Sequence, residues 1–129
     1  LTADEGEPRE SYGDGTVAPA GSVTVIDTQA TENAVRIATF AQFDATQLAA
    51  AGVVFNDPDG DGTPLAAEND LEPEYIAVSG NTAYVALQEA NAIAVLDITA
   101  GAFTSVEPPG FKHYSLAANA VVLYASDGD

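Results

Sequence analysis

Apolar and polar residues alternate with a period of two over much of this chain, which predicts a mainly β structure. In the second half, four such segments follow one another closely, at residues 75–79, 82–88, 92–98 and 102–106. Only two or three residues separate each segment from the next, and Gly, Asn and Ala are frequent among them. Because strands joined by turns this short pair with their neighbours, the sequence predicts an antiparallel four-stranded meander across residues 72–106.

The first half of the chain predicts fewer regular elements. Residues 4–21 are rich in glycine, proline and acidic residues and predict a loop. Asp44 is suited to cap a short helix over residues 45–51, and Gly52 is suited to end it. Short strands are predicted at residues 22–27, 35–40 and 53–55.

Two stretches of the chain resemble each other. Val23-Thr24-Val25-Ile26-Asp27 matches Ile93-Ala94-Val95-Leu96-Asp97, and each follows a strand that ends in a glutamate, Glu5 or Glu89. Four-stranded antiparallel units that repeat in sequence are typical of a β-propeller. We therefore expect an all-β fold of propeller blades, with Asp27 and Asp97 in equivalent places and Glu5 and Glu89 at the same rim of the central channel.

The length of the chain sets how much of a propeller it can form. A propeller needs about four blades or more, and 129 residues hold roughly two with an insertion. A single blade cannot bury both of its faces, so we expect contacts with other propeller blades or identical copies, and no free-standing monomer. The expected parts are a first blade at about residues 1–40, a helix and loop insertion at 41–70, a second blade at 71–110, and the start of a further blade at 111–129, with a strand at 121–125.

Residues 57–68 have the spacing of a calcium-binding loop. Such a twelve-residue loop supplies oxygen ligands from positions one, three, five, seven and twelve, with glycine at position six. Gly62 is at the sixth position. The ligand positions hold Asp57, Asp59, Asp61, Thr63 through its carbonyl, and Glu68. An acidic surface loop of turn-forming residues is the alternative, but the spacing of the ligands favours Ca²⁺. Because no pair of amphipathic helices flanks the loop, as it would in a sensor EF-hand, we expect the ion to have a structural role.

The charge of the chain limits its partners. It has 20 Asp and Glu against 3 Lys and Arg, and a formal net charge of −17. Such a surface repels nucleic acid and anionic membranes and suits divalent cations or high salt. Adaptation to high salt would explain the charge without any function. No apolar run is long enough to cross a membrane, and the absence of cysteine excludes disulfides. We expect a secreted or cell-surface protein.

Four short motifs carry a family resemblance. They are Asp4-Glu5-Gly6-Glu7-Pro8-Arg9, residues 70–78 (Asp-Leu-Glu-Pro-Glu-Tyr-Ile-Ala-Val), Leu87-Gln88-Glu89 and Gly110-Phe111-Lys112. Together with the YVTN-like blade repeats, they resemble the choice-of-anchor I propeller family, which includes secreted bacterial proteins and relatives of the mesenchyme-specific cell-surface glycoprotein. The resemblance implies an extracellular module with a structural or surface-assembly role. Because some members carry phosphatase-like or phytase-like labels, it alternatively implies part of a metal-dependent phosphoesterase.

Acidic residues at strand ends form a second candidate site for a cation or substrate: Glu5, Glu7, Glu72, Glu74 and Glu89. A cation held there and bridging phosphate oxygens would be the basis of phosphoesterase chemistry. Alternatively, these glutamates bond backbone amides of the next blade or are solvated. No serine lies in a nucleophile-elbow motif, and His113 is the only histidine. The sequence therefore assigns no catalytic residue and favours a non-enzymatic role.

Overall fold

A computed structural model describes residues 1–6, 19–32, 34–56, 60–116 and 118 of the chain. The elements in these residues are β1 (Thr2–Asp4), β2 (Ser22–Ile26), β3 (Val35–Thr39), α1 (Ala45–Ala51), α2 (Ala67–Asp70), β4 (Ile76–Ser79), β5 (Thr82–Leu87), β6 (Ala92–Asp97) and β7 (Ala102–Glu107). The mainly β class is confirmed. Residues 121–125, where the sequence predicts a further strand, lie outside the described residues.

The strands form two antiparallel sheets. The first has the order β1-β2-β3 and the second the order β4-β5-β6-β7, so strands adjacent in sequence are neighbours in space. The predicted meander is confirmed, and β2 belongs to the other sheet, as the repeat predicts. A register shift between Val95 and Leu96 produces an irregularity where β6 pairs with β7. The described residues contain these two sheets and no closed ring of blades.

Helix α1 begins and ends where the sequence predicts. The Asp44 side chain accepts a hydrogen bond from the Gln47 N–H at 3.0 Å, which satisfies one of the free amides at the helix start. Gly52 has a φ of 108°, and its N–H donates to carbonyls of the last helical turn. This left-handed conformation favours glycine, so Gly52 ends the helix.

Residues 53–55 do not form the predicted strand. The Val53 N–H donates to the Leu48 carbonyl at 3.1 Å and so closes the end of α1, while the Val54 N–H donates to the Ala90 carbonyl at 2.8 Å. The Val53 amide therefore serves the end of the helix rather than a strand ladder. Phe55 nevertheless packs against the main core.

The inner faces of the two sheets share one hydrophobic core. Phe40, just after β3, stacks on Phe103 of β7 with ring centroids 4.2 Å apart and an angle of 16° between the rings. The other buried strand residues of this core are Val23, Val25, Ala38, Ala83, Val85, Leu87, Ala92, Ala94, Leu96 and Val106. The fold therefore depends on contact between the sheets rather than on either sheet alone.

Polar contacts fix the first sheet on the second. Arg36 of β3 donates from Nη2 to the Ile98 carbonyl at 3.2 Å, and Gln42 donates from Nε2 to the Phe103 carbonyl at 3.4 Å. Gly101, with a φ of 65°, lies so close to Arg36 that a β-carbon there would come within 2.8 Å of the arginine side chain. Glycine is thus needed both for the turn after β6 and for the approach of β3.

Phe103→Ala tests the contribution of the contact between the sheets. Removing the buried ring leaves a cavity against Phe40. We expect a loss of about 3–5 kcal/mol in the free energy of unfolding, measured by chemical denaturation. The control is Phe111→Ala at an exposed ring, where we expect a change within about 1 kcal/mol. Equal losses in the two variants would contradict a core shared by the sheets.

Candidate functional site

A buried carboxylate holds the two ends of the predicted calcium loop together. Asp70, the last residue of α2, accepts hydrogen bonds from the Asn56 backbone N–H at 2.8 Å and from Asn56 Nδ2 at 2.7 Å. These two bonds use both carboxylate oxygens, which compensates for the burial of the side chain. The loop between Asn56 and Asp70 is therefore closed at its base. The sequence did not predict this pair, although an Asn just before the loop and an Asp just after it are a signal that such a closure is possible.

The described part of the loop turns at two glycines with positive φ. Gly62, at the sixth position, has a φ of 85°, and Gly60 has a φ of 69°. Asp61 accepts a hydrogen bond at Oδ1 from the Thr63 N–H at 2.7 Å. The Leu65 N–H donates to the Asn56 carbonyl at 3.2 Å and adds a second closure at the base. Glycine at the sixth position thus has the conformation that a sharp turn demands.

The structure locates only some of the predicted calcium ligands. Asp61 and Thr63 are exposed, and Glu68 is half-buried in the first turn of α2. Asp57 and Asp59 lie outside the described residues. In the described ranges, no group of three or more acidic, histidine or cysteine side chains is arranged to hold a metal ion. Carboxylate and carbonyl oxygens, the donors that this loop offers, are those that Ca²⁺ prefers.

The end of the loop is joined to the first sheet. The Gly21 N–H, immediately before β2, donates to the Glu68 carbonyl at 2.9 Å. A β-carbon at Gly21 would collide with the Leu71 carbonyl, so only glycine permits this approach. The sequence did not predict α2, because a single four-residue turn held by such tertiary contacts has no helical periodicity of its own. The candidate ligand Glu68 is therefore placed by contact with Gly21, the residue before β2.

Three of the five strand-end glutamates come together. Glu5 follows β1, Glu74 precedes β4, and Glu89 lies in the turn between β5 and β6. Partial burial of the Glu74 carboxyl raises its pKa above the ordinary value, and the charges of Glu89 and Glu5 and a hydrogen bond with Glu89 raise it further. Glu72 is half-buried two residues before Glu74, and Glu7 lies outside the described residues.

This carboxylate cluster opens onto a polar groove of about 370 Å³ lined by Ala3, Glu5, Pro73, Glu74 and Tyr75. The fold brings glutamates from both sheets to one place, where Glu89 and Glu5 repel the charged form of Glu74. A raised pKa means that Glu74 accepts a proton more readily than an isolated glutamate does. Within the described residues the cluster does not have the arrangement of a metal site.

Asp97 and Asp27 each hold the turn that follows their strand. Hydrogen bonds from the Ala100 N–H at 2.9 Å and from Asn81 Nδ2 at 2.8 Å lower the pKa of Asp97. Asp27 similarly accepts a hydrogen bond from the Gln29 N–H at 2.9 Å. Each aspartate thus bonds a backbone amide of the turn after its strand, in line with the expectation that the repeat places the two in similar positions.

Comparison with known proteins identifies the family. The family model described as the choice-of-anchor I domain matches residues 1–129. The chain belongs to the choice-of-anchor I domain family. No curated protein and no solved structure matches it. The resemblance based on the four motifs is thereby confirmed, and membership in a choice-of-anchor family associates the chain with extracellular proteins anchored at the cell surface.

In this choice-of-anchor I domain, no helix among the described residues is long and apolar enough to cross a membrane.

Glu74→Gln tests the electrostatics of the carboxylate cluster. Because the pKa of Glu74 is raised in the folded state, protonation of Glu74 stabilises the fold. This stabilisation is fully present below the unfolded pKa, near 4.5, and is lost as pH rises through the folded pKa. The variant lacks this loss, so we expect its denaturation midpoint to exceed that of the wild type at pH 7. The two midpoints should converge at about pH 4, below the unfolded pKa.

The control for Glu74→Gln is Glu107→Gln, which removes the same charge from an exposed position on β7. It measures how much stability the choice-of-anchor I domain gains when one negative charge is removed outside the cluster. If both variants gain the same stability at pH 7, the cluster does not raise the pKa of Glu74.

Asp70→Ala tests the closure of the loop. It leaves two Asn56 donors without their acceptor, and we expect a loss of about 1–3 kcal/mol in the free energy of unfolding, with faster proteolysis between residues 56 and 70. Asp70→Asn keeps one acceptor oxygen and should lose less. Unchanged stability and unchanged cleavage in Asp70→Ala would show that the carboxylate does not hold the loop.

Proposed function

We propose that this choice-of-anchor I domain is a calcium-binding β-propeller module with a structural role in an extracellular surface assembly. The observation that carries the proposal is the closed loop between Asn56 and Asp70. Its ends are joined by a satisfied buried carboxylate, and its residues 57–68 have the ligand spacing of a calcium loop.

The position of the loop supports a structural role for the ion. The carbonyl of Glu68, the residue at the twelfth loop position, binds the Gly21 N–H at the start of β2. Asp70, two residues later, leads through Leu71 and Pro73 into the second sheet. A calcium ion that fixes Glu68 would therefore fix the junction of the two sheets, and an ion that binds only the folded chain stabilises it by mass action.

The arrangement of the sheets supports the propeller part of the proposal. Two antiparallel meanders with matching Asp27 and Asp97 turns pack on each other through a shared core. Repeated antiparallel sheets packed in this way are the building units of propellers. The additional blades are supplied by other repeats or by further copies.

The charge supports an extracellular, cation-rich setting. A net charge of −17 on 129 residues opposes close approach of copies at low ionic strength. Divalent cations reduce that repulsion and also occupy the loop. Membership in a surface-anchoring family is compatible with this setting. No specific observation in the described residues favours the phosphoesterase alternative.

Calorimetric titration of the EDTA-treated chain with Ca²⁺ tests the proposal. We expect binding to one loop, a rise in the unfolding temperature, and a weakening of about tenfold or more in Asp61→Asn, since ligand charge sets calcium affinity. Glu107→Gln removes the same charge outside the loop and should bind Ca²⁺ as the wild type does. Absence of binding, or equal affinity in the two variants, would reject the calcium loop.

A further inference from the structure

A polar groove of about 440 Å³ is lined by the turns that follow β2 and β6 and by Arg36 of β3. Both sheets contribute to it, so the groove is formed within one chain. None of its residues belongs to the predicted calcium loop or to the carboxylate cluster. Its walls include Val25, Asp27, Gln29, Arg36, Ile98 and Thr99.

Arg36 brings a positive charge to this groove without an acidic partner among the described residues. It is one of only three Lys and Arg residues in a chain with 20 Asp and Glu. Nη2 donates to the Ile98 carbonyl at 3.2 Å, whereas Nε is buried and has no hydrogen-bond partner in the described part of the chain. A guanidinium has five N–H donors. Most of the capacity of Arg36 to bind an anion is therefore unused by the described residues.

The donors that remain for a ligand are on the outer end of the guanidinium. Nε lies against Gly101, where an added β-carbon would come within 2.8 Å of it. The side chain as a whole is half-buried, so the Nη atoms are the part that the groove can reach. Two N–H groups on neighbouring nitrogens match the two oxygens of a carboxylate.

Asp27 brings a negative charge to the same groove. Val25 pairs with Arg36, and the Asp27 N–H donates to the Ala34 carbonyl at 2.7 Å, so Asp27 and Arg36 are diagonal neighbours across the hairpin. Such neighbours are within reach of a long side chain. Asp27 instead accepts a hydrogen bond at Oδ1 from the Gln29 N–H, and Arg36 reaches across to the other sheet. Two opposite charges thus line one cavity without pairing with each other.

These walls suit a small molecule that carries both charges. A simple anion that approached Arg36 would be repelled by Asp27, and a simple cation that approached Asp27 would be repelled by Arg36. A zwitterion satisfies both groups, because its carboxylate accepts from the guanidinium and its ammonium group donates to Asp27. Val25 and Ile98 add aliphatic surface to the groove, which suits an apolar substituent on the same molecule.

We propose that this groove binds a free α-amino acid with an aliphatic side chain, with its carboxylate at Arg36 and its ammonium group at Asp27. The volume of about 440 Å³ is within the range of small-molecule sites and holds one such molecule. The proposal goes beyond the structural role proposed above and does not depend on calcium in the loop.

NMR titration of the isotope-labelled chain with L-leucine at neutral pH tests the site. We expect saturable shifts at backbone amides around the groove, among them those of Thr28, Gln29, Arg36 and Thr99. Two analogues separate the charges, since isocaproate lacks the amine of leucine and isoamylamine lacks its carboxylate. Each should bind about tenfold or more weakly than leucine, because each leaves one wall charge without a partner.

Asp27→Asn removes the charge that the ammonium group needs. The asparagine oxygen can still accept from the Gln29 N–H, so the turn is retained. We expect leucine to bind about tenfold or more weakly than to the wild type. Isocaproate should bind the variant more tightly than the wild type, because the repulsion by Asp27 is gone.

The control is Asp44→Asn, which removes the same charge from the cap of α1 and keeps an acceptor for the Gln47 N–H. It should bind leucine as the wild type does. Arg36→Lys keeps the positive charge but loses the paired donors, so it should weaken the binding of leucine and of isocaproate. Asp27→Asn alone decides the test if the Arg36 variant is unfolded by circular dichroism.

Three results would overturn the proposal. They are the absence of saturable shifts with leucine, equal affinity for leucine and its two analogues, and binding of leucine to Asp27→Asn as tight as to the wild type. Repeating the titration in EDTA separates the groove from the calcium loop. Leucine binding by a chain that binds no calcium retains the groove and rejects the loop, whereas calcium binding without leucine binding rejects the groove alone.

Discussion

The packing of β3 against β7 is the contact on which the rest of this structure depends. A three-stranded sheet with one apolar side has no core of its own, and the second sheet would expose Leu96 and Phe103 without a cover. The stacked rings of Phe40 and Phe103 and the hydrogen bond from Arg36 to the Ile98 carbonyl hold the two together. The junction at Gly21 and the carboxylate cluster also bring residues of the two sheets together, so both need the sheets to be held in place.

Carboxylates in this very acidic chain have different roles according to their partners. Asp70 and Asp97 accept hydrogen bonds from nearby amides. These bonds replace the hydration that the two carboxylates lose on folding. Glu74 instead faces Glu89 and Glu5, and its pKa rises. The fold therefore tolerates its negative charge where backbone and amide donors are available and incurs repulsion where only other acids are near. Both environments, with amide donors and with other carboxylates, occur at the ends of strands.

Local signals in the sequence predicted the local structure well. Asp44 and Gly52 predicted both ends of α1, because each acts on its own helix terminus. Short turns predicted the meander, since they leave neighbouring strands no other partner. Residues 53–55 and α2 were not predicted correctly, because their hydrogen bonds go to α1, to Ala90 and to Gly21 rather than to neighbours in a periodic pattern.

The candidate site was predictable only where the repeat or a motif covered it. The repeat predicted that Glu5 and Glu89 occupy equivalent positions. The effect of their charges on the pKa of Glu74 depends instead on the approach of β1 to β4 and on the turn that contains Glu89. The Asn56 and Asp70 pair lies just outside the calcium spacing and follows from the closure of the loop in three dimensions. The alternation of β2 and β6 residues did predict two faces per strand. Only the burial pattern shows that unlike faces meet, since Val23 and Val25 are buried on β2 but Ala94 and Leu96, which the repeat aligns with Thr24 and Ile26, are buried on β6.

Contact between unlike faces has a consequence for an acidic protein. Two equivalent faces that meet can close as a pair, whereas unlike faces leave an open side at each end of every stack. The net charge of −17 means that whatever covers such an open side approaches a strongly negative surface, so close packing there is favoured by high salt or by cations. In a chain whose sheets meet beside a candidate calcium loop, a divalent cation would therefore act both on the junction of the sheets and on the charge around it.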